Sequence, residues 1–357
     1  MTTKNMFEKG EIPSLNGWRA VSVVMVLIAH SGWVIDSASF RYYLGAMGVR
    51  FFFVISGFLI TWLLLREHAE SGTISLKAFY VRRAFRILPV YYTFLAVCWV
   101  WREAYPGGLS PMQWAANLFF LTNYTDAKWI TGHLWTLAVE EQFYVIWPLV
   151  FMLCRGRAKS LKLVLCAVIA TCPAVRGLAY LVGSESSVVL HRFSFLMQAD
   201  VLAAGCLAAV MLWDRPQWWE LVKARKTPCV VAGMVLVSLL WVLPEIPGFN
   251  LIQVPLGPTM QAVGFILLLL PSLFGATGLM FRVLNCLPLV WLGVLSYSTY
   301  IWHVLFVPSV WLGRGPVTGV LFSNPGWALI AVVAATASYY LLERPLLGLR
   351  RRFLTHH

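Results

Sequence analysis

Charged residues are scarce in this sequence. Asp, Glu, Lys and Arg make up 12% of its 357 residues, whereas soluble domains carry about 25%. Hydrophobic residues make up 59%, and the mean hydropathy is +0.73. A soluble core does not require so much apolar surface. The balance therefore excludes an ordinary soluble protein and predicts a membrane protein.

The sequence also lacks the cysteine patterns of a zinc site or a disulfide framework. None of its seven cysteines forms a C-x-x-C pair, and nearly all lie in or beside apolar runs. We interpret them as small hydrophobic residues and expect no metal. They are Cys98, Cys154, Cys166, Cys172, Cys206, Cys229 and Cys286.

Internal repeats and low-complexity segments are absent as well, and we expect no appended soluble domain. Apolar runs of membrane-spanning length follow one another along the chain. We predict an all-α polytopic transmembrane bundle that forms a single domain over residues 1–357. A stretch at 112–121 is too short to cross and predicts an interfacial or re-entrant segment. The ten predicted spans are 14–35, 46–65, 87–104, 134–153, 163–182, 194–213, 228–244, 259–276, 288–310 and 326–345.

The net charge of +13 raises nucleic acid as a partner. The basic residues, however, stand in short clusters between apolar runs, which is the pattern left by membrane topology. We therefore expect no nucleic-acid partner. Most Lys and Arg residues fall in the segments that are cytoplasmic if the N-terminus is inside. With ten spans, both termini are predicted to be cytoplasmic.

Arg19 and His30 stand on the first predicted span, eleven residues apart. At about 100° per residue they share a helix face, and they are roughly 16 Å apart along the axis. That face offers an anion-binding group near one end and a titratable base deeper in the span. The alternative is an arginine that reaches lipid headgroups and a histidine that is hydrogen-bonded within the bundle.

Three arginines, Arg82, Arg83 and Arg86, follow the second span in what we interpret as a loop. Their planar guanidinium groups suit a polyphosphate, because each can make two parallel hydrogen bonds. The alternative is the usual excess of basic residues on the cytoplasmic side, in contact with lipid phosphates.

Two adjacent carboxylates, Glu140 and Glu141, lie about 10 Å into the fourth span. One of them could orient a catalytic histidine. The alternative is a buried pair with Arg or Tyr.

In the ninth span, Tyr300 and His303 are neighbours on one face. They could contact an acceptor hydroxyl or simply hydrogen-bond across helices. For Arg176 and Asp200 we expect an ion pair within the bundle.

Six segments occur in order, each at its expected span. Together they resemble the acyltransferase-3 family of membrane O-acyltransferases over nearly the whole chain. Each segment alone is a weak signal, but six in order are specific. They are Leu15-Asn16-Gly17-Trp18-Arg19 with His30, the stretch Gly48 to Ile60, Arg82-Arg83-x-x-Arg86-Ile87-x-Pro89, Trp135-Thr136-Leu137 with Glu140 and Phe143-Tyr144, Ser296-Tyr297 with His303, and Glu343-Arg344-Pro345.

The sequence departs from the family pattern at four positions. The family usually has Asp at Asn16, Asp at Arg50, Ser at Thr136 and often Arg near Gln198. Asn16 and Thr136 keep hydrogen-bonding capacity. Arg50 reverses a charge, which puts in doubt any acceptor contact at that position.

The resemblance implies an acyl-CoA-dependent O-acyltransferase that moves an acyl group, most often acetyl, to a hydroxyl of a sugar or another envelope or secreted acceptor. Acetyl-CoA would be a co-substrate, with no permanently bound cofactor and no metal. The roles that it implies fall into three sets: catalysis by His30, Glu140 and Arg19, acyl-CoA binding by Arg82, Arg83 and Arg86, and acceptor binding by Glu141, Tyr144, Tyr300, His303 and Ser56.

Two mechanisms remain open. His30 could act as a general base, since imidazole titrates near neutral pH, or could carry a transient acyl group. The rival function is a proton-coupled secondary transporter, in which buried His, Glu and Arg form a relay. The expected location is the bacterial inner membrane.

Overall fold

The computed structural model describes residues 12–31, 38–101, 108–126, 129–183, 193–242, 248–274, 278–307 and 325–354. Within these ranges the chain is helical and contains no β-strand. Lys4, Lys9, Lys128, Arg192 and Arg314, which entered the topology prediction, lie outside the described residues. The helical character agrees with the predicted all-α class.

The described residues form sixteen α-helices, and eight of them have 17 residues or more. In chain order they are α1 Leu15–Ser31, α2 Ala38–Ser71, α3 Leu76–Val100, α4 Pro111–Leu118, α5 Trp129–Gly132, α6 Trp135–Leu153, α7 Ala158–Val182, α8 Phe195–Asp214, α9 Gln217–Ala224, α10 Lys226–Val242, α11 Asn250–Phe274, α12 Leu279–Leu284, α13 Leu287–Val294, α14 Ser296–Trp302, α15 Gly326–Ser338 and α16 Arg344–Leu354. Short 3₁₀ turns cover Thr122–Tyr124 and His303–Phe306, and a π-helical turn joins α15 to α16 at Tyr339–Glu343.

Local chemistry sets several helix ends. The Ser75 hydroxyl caps α3 by accepting from the Ala78 N–H at 3.2 Å. Ser110 and Gln113 form a reciprocal capping box at the start of α4. Gly183 ends α7 in the left-handed conformation, with φ 64°, which glycine adopts without a steric penalty. The short α4 accounts for most of the stretch 112–121, which the sequence predicts is too short to cross.

All ten predicted spans coincide with helices, but the count of ten is not confirmed. Among the described residues, seven helices are long and apolar enough to cross a membrane, and eight are if the broken pair α13–α14 is one span. The apolar part of α10 is shorter, and α1 has only 17 residues. The cytoplasmic placement of both termini stays a prediction.

Contacts divide the chain into two compact units that interleave along the sequence. The first comprises residues 1–25, 46–74 and 142–294, and the second comprises residues 26–45, 75–141 and 295–357. Three helices, α1, α2 and α6, pass from one unit to the other. The single domain that the sequence predicts therefore stays a prediction.

In the first unit, the glycines of α2 and α8 allow the two backbones to approach closely. A Cβ atom on Gly57 would overlap the Leu202 carbonyl, and one on Gly205 would overlap the Val54 carbonyl. The Cys206 thiol donates to the Gly57 carbonyl at 3.3 Å. In lipid there is little hydrophobic driving force between helices. The close packing that small residues allow stabilises the crossing instead.

The first unit also contains the ion pair expected from the sequence. Arg176 on α7 donates two hydrogen bonds to Asp200 on α8, at 2.8 and 2.7 Å. Its other N–H groups bond to the Pro255 and Met197 carbonyls and the Thr259 hydroxyl. The Thr259 hydroxyl in turn donates to Asp200 at 2.5 Å. The prediction of an ion pair is confirmed, and all five guanidinium N–H groups have a partner.

The second unit packs α14 and α15 against each other and α16 against α3. Leu27, Val307 and Trp327 form a buried apolar cluster. The Tyr297 hydroxyl on α14 donates to the Ile87 carbonyl of α3 at 2.7 Å. These contacts bring the last part of α1, α3, the start of α6 and α14 into one body.

Candidate active site

Three histidines from distant parts of the sequence meet in the second unit. The ring centroids of His30 and His303 are 4.8 Å apart, and those of His303 and His133 are 5.3 Å apart. Both pairs are in edge-to-face orientation. His303 is fully buried, His133 is 8% exposed, and His30 is partly buried. No group of His, Cys, Asp or Glu in the described part of the chain could hold a metal ion.

Backbone carbonyls fix the protonation of each neutral ring. His30 Nδ1 lies 2.8 Å from the Val26 carbonyl, His303 Nδ1 lies 2.6 Å from the Tyr300 carbonyl, and His133 Nε2 lies 3.1 Å from the Ile301 carbonyl. A carbonyl oxygen only accepts, so these nitrogens carry the proton. The lone pair is therefore on Nε2 of His30 and His303 and on Nδ1 of His133, which is the state that a general base requires.

Local sequence explains where each imidazole stands. His30 is in the last turn of α1, His133 lies in the turn between α5 and α6, and His303 follows α14 at the start of a 3₁₀ turn. Each is thus at or beside a helix end. The Tyr300 and Ile301 carbonyls, which accept from His303 and His133, are in the last turn of α14, where backbone carbonyls lack an α-helical partner.

A hydroxyl pair connects the second and third of these segments. The Tyr300 hydroxyl donates to the His133 carbonyl at 2.9 Å, and the Thr136 hydroxyl donates to Tyr300 at 2.8 Å. All three residues are buried. The connection holds the start of α6 against α14 and so fixes the spacing between His133 and His303. Thr136, one of the departures named in the sequence analysis, thus keeps the hydroxyl that makes this connection.

The two predicted carboxylates lie two turns further along α6. Both are partly buried. Glu141 lies within electrostatic range of Glu140 and of Arg83. Its Oε1 atom has no hydrogen-bond partner among the described residues. The role of Glu140 as the group that orients His30 stays a prediction.

The three arginines are on a helix, and the prediction that they lie in a loop is wrong. Helix α3 begins at Leu76, so Arg82, Arg83 and Arg86 occupy its second and third turns. Helix α3 begins before the predicted apolar span because the residues that precede the span also favour a helix and Ser75 caps the helix start. Arg86 is four residues from Arg82 and three from Arg83, which places it beside both. All three are partly buried.

Arg83 and Arg86 each lie near a carboxylate. The Arg83 guanidinium is 5.8 Å from the centroid of the Phe79 ring and within electrostatic range of Glu141. Arg86 is within electrostatic range of Glu343. Carboxylates of the same unit therefore lie close enough to attract Arg83 and Arg86.

Three predicted site residues belong to the first unit. Arg19 is partly buried on α1, Ser56 is partly buried on α2, and Tyr144 is buried on α6. Arg50, one of the departures from the family pattern, donates to the Gln261 side chain at 2.6 Å, with Gln261 fully buried. The predicted roles of the first three residues stay predictions.

Sequence reasoning assigned no role to His133 or Glu343. His133 stands immediately before the Trp135-Thr136-Leu137 segment, and its contact with Ile301 joins residues 168 positions apart. Glu343 is 5% exposed in the π-helical turn and accepts a hydrogen bond from Ser298. In the sequence, each of the two is a titratable residue at the edge of a motif. Because titratable groups are costly within a membrane, this position could have marked both as candidates.

The chain also resembles known proteins over most of its length. Residues 12–344 match the model of an acyltransferase family, described as an acyltransferase domain. No solved structure matches the chain. The matched range contains every predicted site residue.

Relatives of known name cover nearly all of the chain. It is 27% identical to peptidoglycan O-acetyltransferase OatA of Listeria monocytogenes, over 97% of this chain and 57% of that protein. It is 25% identical to the putative peptidoglycan O-acetyltransferase YrhL of Bacillus subtilis, over 94% and 55%. It is 26% identical to O-acetyltransferase OatA of Staphylococcus aureus, over 96% and 58%.

The chain thus spans a little more than half the length of the curated relatives that it matches. Its apolar helices are those of an integral membrane protein. Since the family model covers almost the whole sequence, the chain belongs to the acyltransferase-3 family of membrane acyltransferases.

Proposed function

We propose that this protein is a membrane O-acetyltransferase of the bacterial inner membrane. It would move an acetyl group from acetyl-CoA to a hydroxyl of an envelope carbohydrate. The observation that carries the proposal is the His30 ring, whose Nδ1 donates to the Val26 carbonyl and leaves the lone pair on Nε2. The same ring lies beside His303, which the resemblance assigns to the acceptor.

The donor would bind along the arginine segment of α3. CoA carries several phosphates, and three guanidinium groups within five residues offer paired hydrogen bonds to them. Arg19, at the other end of α1 from His30, is a further candidate for the same role. Its axial distance from His30, about 16 Å, is compatible with the reach of a pantetheine arm.

In the transfer step, His30 Nε2 accepts the proton of the acceptor hydroxyl as its oxygen attacks the thioester carbon. A C–O bond forms and the C–S bond breaks. The proton then passes from His30 to the departing CoA thiolate. Alternatively, His30 Nε2 attacks the thioester carbon and releases the CoA thiolate. The acceptor oxygen then attacks the acetyl carbon, the C–N bond breaks, and the hydroxyl proton passes through the freed ring to the thiolate. In both routes Glu140 or Glu141 would stabilise the positive charge on imidazole.

The acceptor class follows from the names of the relatives. Two of them are named for O-acetylation of peptidoglycan, whose glycan strands present hydroxyl groups. We extend a carbohydrate acceptor to this chain as part of the proposal. Tyr300, His303 and Glu141, which belong to the second unit, would contact it.

The first experiment measures acetyl-CoA binding and slow thioester hydrolysis by the purified protein in nanodiscs. We expect the wild type to bind and hydrolyse, and His30→Ala to bind without hydrolysis. A triple Arg82→Ala, Arg83→Ala, Arg86→Ala variant should bind at least tenfold more weakly, because each lost charge-assisted bond contributes about 1.5–3 kcal/mol.

The matched control removes three basic residues elsewhere, Arg155→Ala, Arg157→Ala and Lys159→Ala, and should bind like the wild type. Wild-type protein that does not bind acetyl-CoA would contradict the donor assignment. The rival function, a proton-coupled transporter, would then be tested as substrate flux without loss of thioester.

A further inference from the structure

Two buried lone pairs in the second unit have no hydrogen-bond partner among the described residues. They are on His133 Nδ1 and His303 Nε2. The rings are 8% and 0% exposed, and their centroids are 5.3 Å apart. A buried acceptor without a donor lowers stability, so such atoms in a folded protein point to a ligand or another functional role.

These two atoms cannot satisfy each other. The Ile301 and Tyr300 carbonyls occupy the N–H groups of the two rings, so both remaining nitrogens are acceptors. The Thr136–Tyr300 connection holds the two segments in place. Whatever completes the pair must therefore bring two hydrogen-bond donors, and it must place them close together.

We propose that His133 and His303 accept hydrogen bonds from hydroxyl groups that neighbour the reacting one on a polyol acceptor. This inference rests on the proposed function, in which His30 takes the proton of the reacting hydroxyl. His30 lies 4.8 Å from His303 between ring centroids, so the three rings lie within one small region. His133 is then a specificity-determining residue that selects sugars and other polyols over alcohols with one hydroxyl.

A pair of substitutions at position 133 separates this role from a structural one. The amide nitrogen of glutamine reaches the position of His133 Nε2, so His133→Gln keeps the bond to Ile301 and loses the acceptor at Nδ1. Asparagine reaches the position of Nδ1, so His133→Asn keeps an acceptor there and loses the bond to Ile301. At position 303 the protonated nitrogen is Nδ1. His303→Asn therefore keeps the bond to the Tyr300 carbonyl and loses the acceptor at Nε2, whereas His303→Gln keeps that acceptor and loses the bond.

The measurement compares acetyl transfer from acetyl-CoA to glycerol and to 1-propanol, by the same protein in nanodiscs. Glycerol has two hydroxyls beside the reacting one, and each neutral hydrogen bond lowers KM by about five- to tenfold, so we expect the wild type to have a KM at least about 25-fold lower for glycerol. His133→Asn and His303→Gln should keep most of this preference. His133→Gln and His303→Asn should each lose the part that belongs to one hydrogen bond. Gly348→Ala, an exposed helix position with open space around it, serves as the control.

Each other outcome overturns the inference. A preference kept by His133→Gln and lost by His133→Asn would assign His133 to structure, through Ile301. A wild type that transfers equally to both alcohols, or to neither while it hydrolyses acetyl-CoA, would exclude the polyol contact and leave the donor chemistry standing. A wild type without acetyl-CoA turnover would overturn the proposed function as well.

Discussion

At the scale of single residues, the site depends on short polar connections between distant segments. The Thr136 hydroxyl donates to Tyr300, which donates to the carbonyl of His133. Each member is buried, and Thr136 Oγ1 is also 3.1 Å from the same carbonyl. A buried polar group that loses its partner costs about 1–3 kcal/mol, so the hydroxyl matters more than the rest of the Thr side chain.

We expect Thr136→Val, which keeps the shape and removes the hydroxyl, to lower the free energy of unfolding by about 1–2 kcal/mol. Thr136→Ser keeps the hydroxyl and should stay near the wild type. Thermal unfolding in detergent, followed by tryptophan fluorescence, measures both. Equal melting temperatures for Val and Ser would show that the Tyr300 connection contributes nothing.

At the scale of helices, two devices hold the first unit together. One is the close approach of α2 and α8 at Gly57 and Gly205, and the other is the buried pair of Arg176 and Asp200. The close approach requires that Gly57 and Gly205 have no side chain, and the ion pair requires that each buried charge keeps its partner. They should respond differently to substitution.

Asp200→Leu leaves the Arg176 charge buried without its partner, which typically costs about 3–5 kcal/mol. We expect a large fall in melting temperature and in the yield of monodisperse protein. The double variant Arg176→Met, Asp200→Leu should recover much of the loss, because it removes both charges. No recovery in the double variant would mean that the bonds to Met197, Pro255 and Thr259 matter more than the charge pair.

Gly57→Ala and Gly205→Ala each introduce a Cβ that overlaps a carbonyl of the facing helix. We expect each to lower the unfolding free energy by about 1–3 kcal/mol, the usual cost of overpacking. Gly348→Ala has open space and should be neutral or slightly stabilising. The same thermal unfolding assay applies, and similar melting temperatures for all three variants would disprove the close contact.

At the scale of the whole molecule, we expect charge to set the membrane topology more than packing does. Lys and Arg cluster at alternate ends of the predicted spans, and this bias predicts which loops stay in the cytoplasm. Whether the shorter helix α10 crosses the membrane decides on which side of the membrane the segments before and after it lie. If α10 crosses, Lys223 and Leu251 face opposite sides of the membrane.

We therefore expect Lys223→Cys to react with a membrane-impermeant maleimide only after cells are permeabilised, and Leu251→Cys to react in intact cells. Leu251 is 57% exposed, so access on the folded protein is not limiting. The wild-type chain measures the background from its seven native cysteines. Labelling of both positions on the same side would show that α10 does not cross and that the count of ten spans is wrong.

Hydrophobic patterning predicted the positions of the helices well and their ends poorly. A helix lies at every predicted span because apolar runs of about 20 residues have no other stable form in lipid. Helix ends depend on caps and on propensity outside the apolar window, so α3 and α11 begin eleven and nine residues before the predicted spans 87–104 and 259–276. The ninth span is broken at Leu295 between α13 and α14, which no composition signal marked.

The sequence by itself determined the all-α membrane class, the family, and His30 and His303 as candidates, because hydropathy and motif spacing are properties of the chain order. Only the tertiary structure decided that His133 joins those two, which nitrogen of each ring holds the proton, and that the Thr136 hydroxyl donates to Tyr300. These facts depend on contacts across more than a hundred residues and on the direction of carbonyl groups at helix ends. Neither is encoded in local periodicity, so they emerge only when the helices pack.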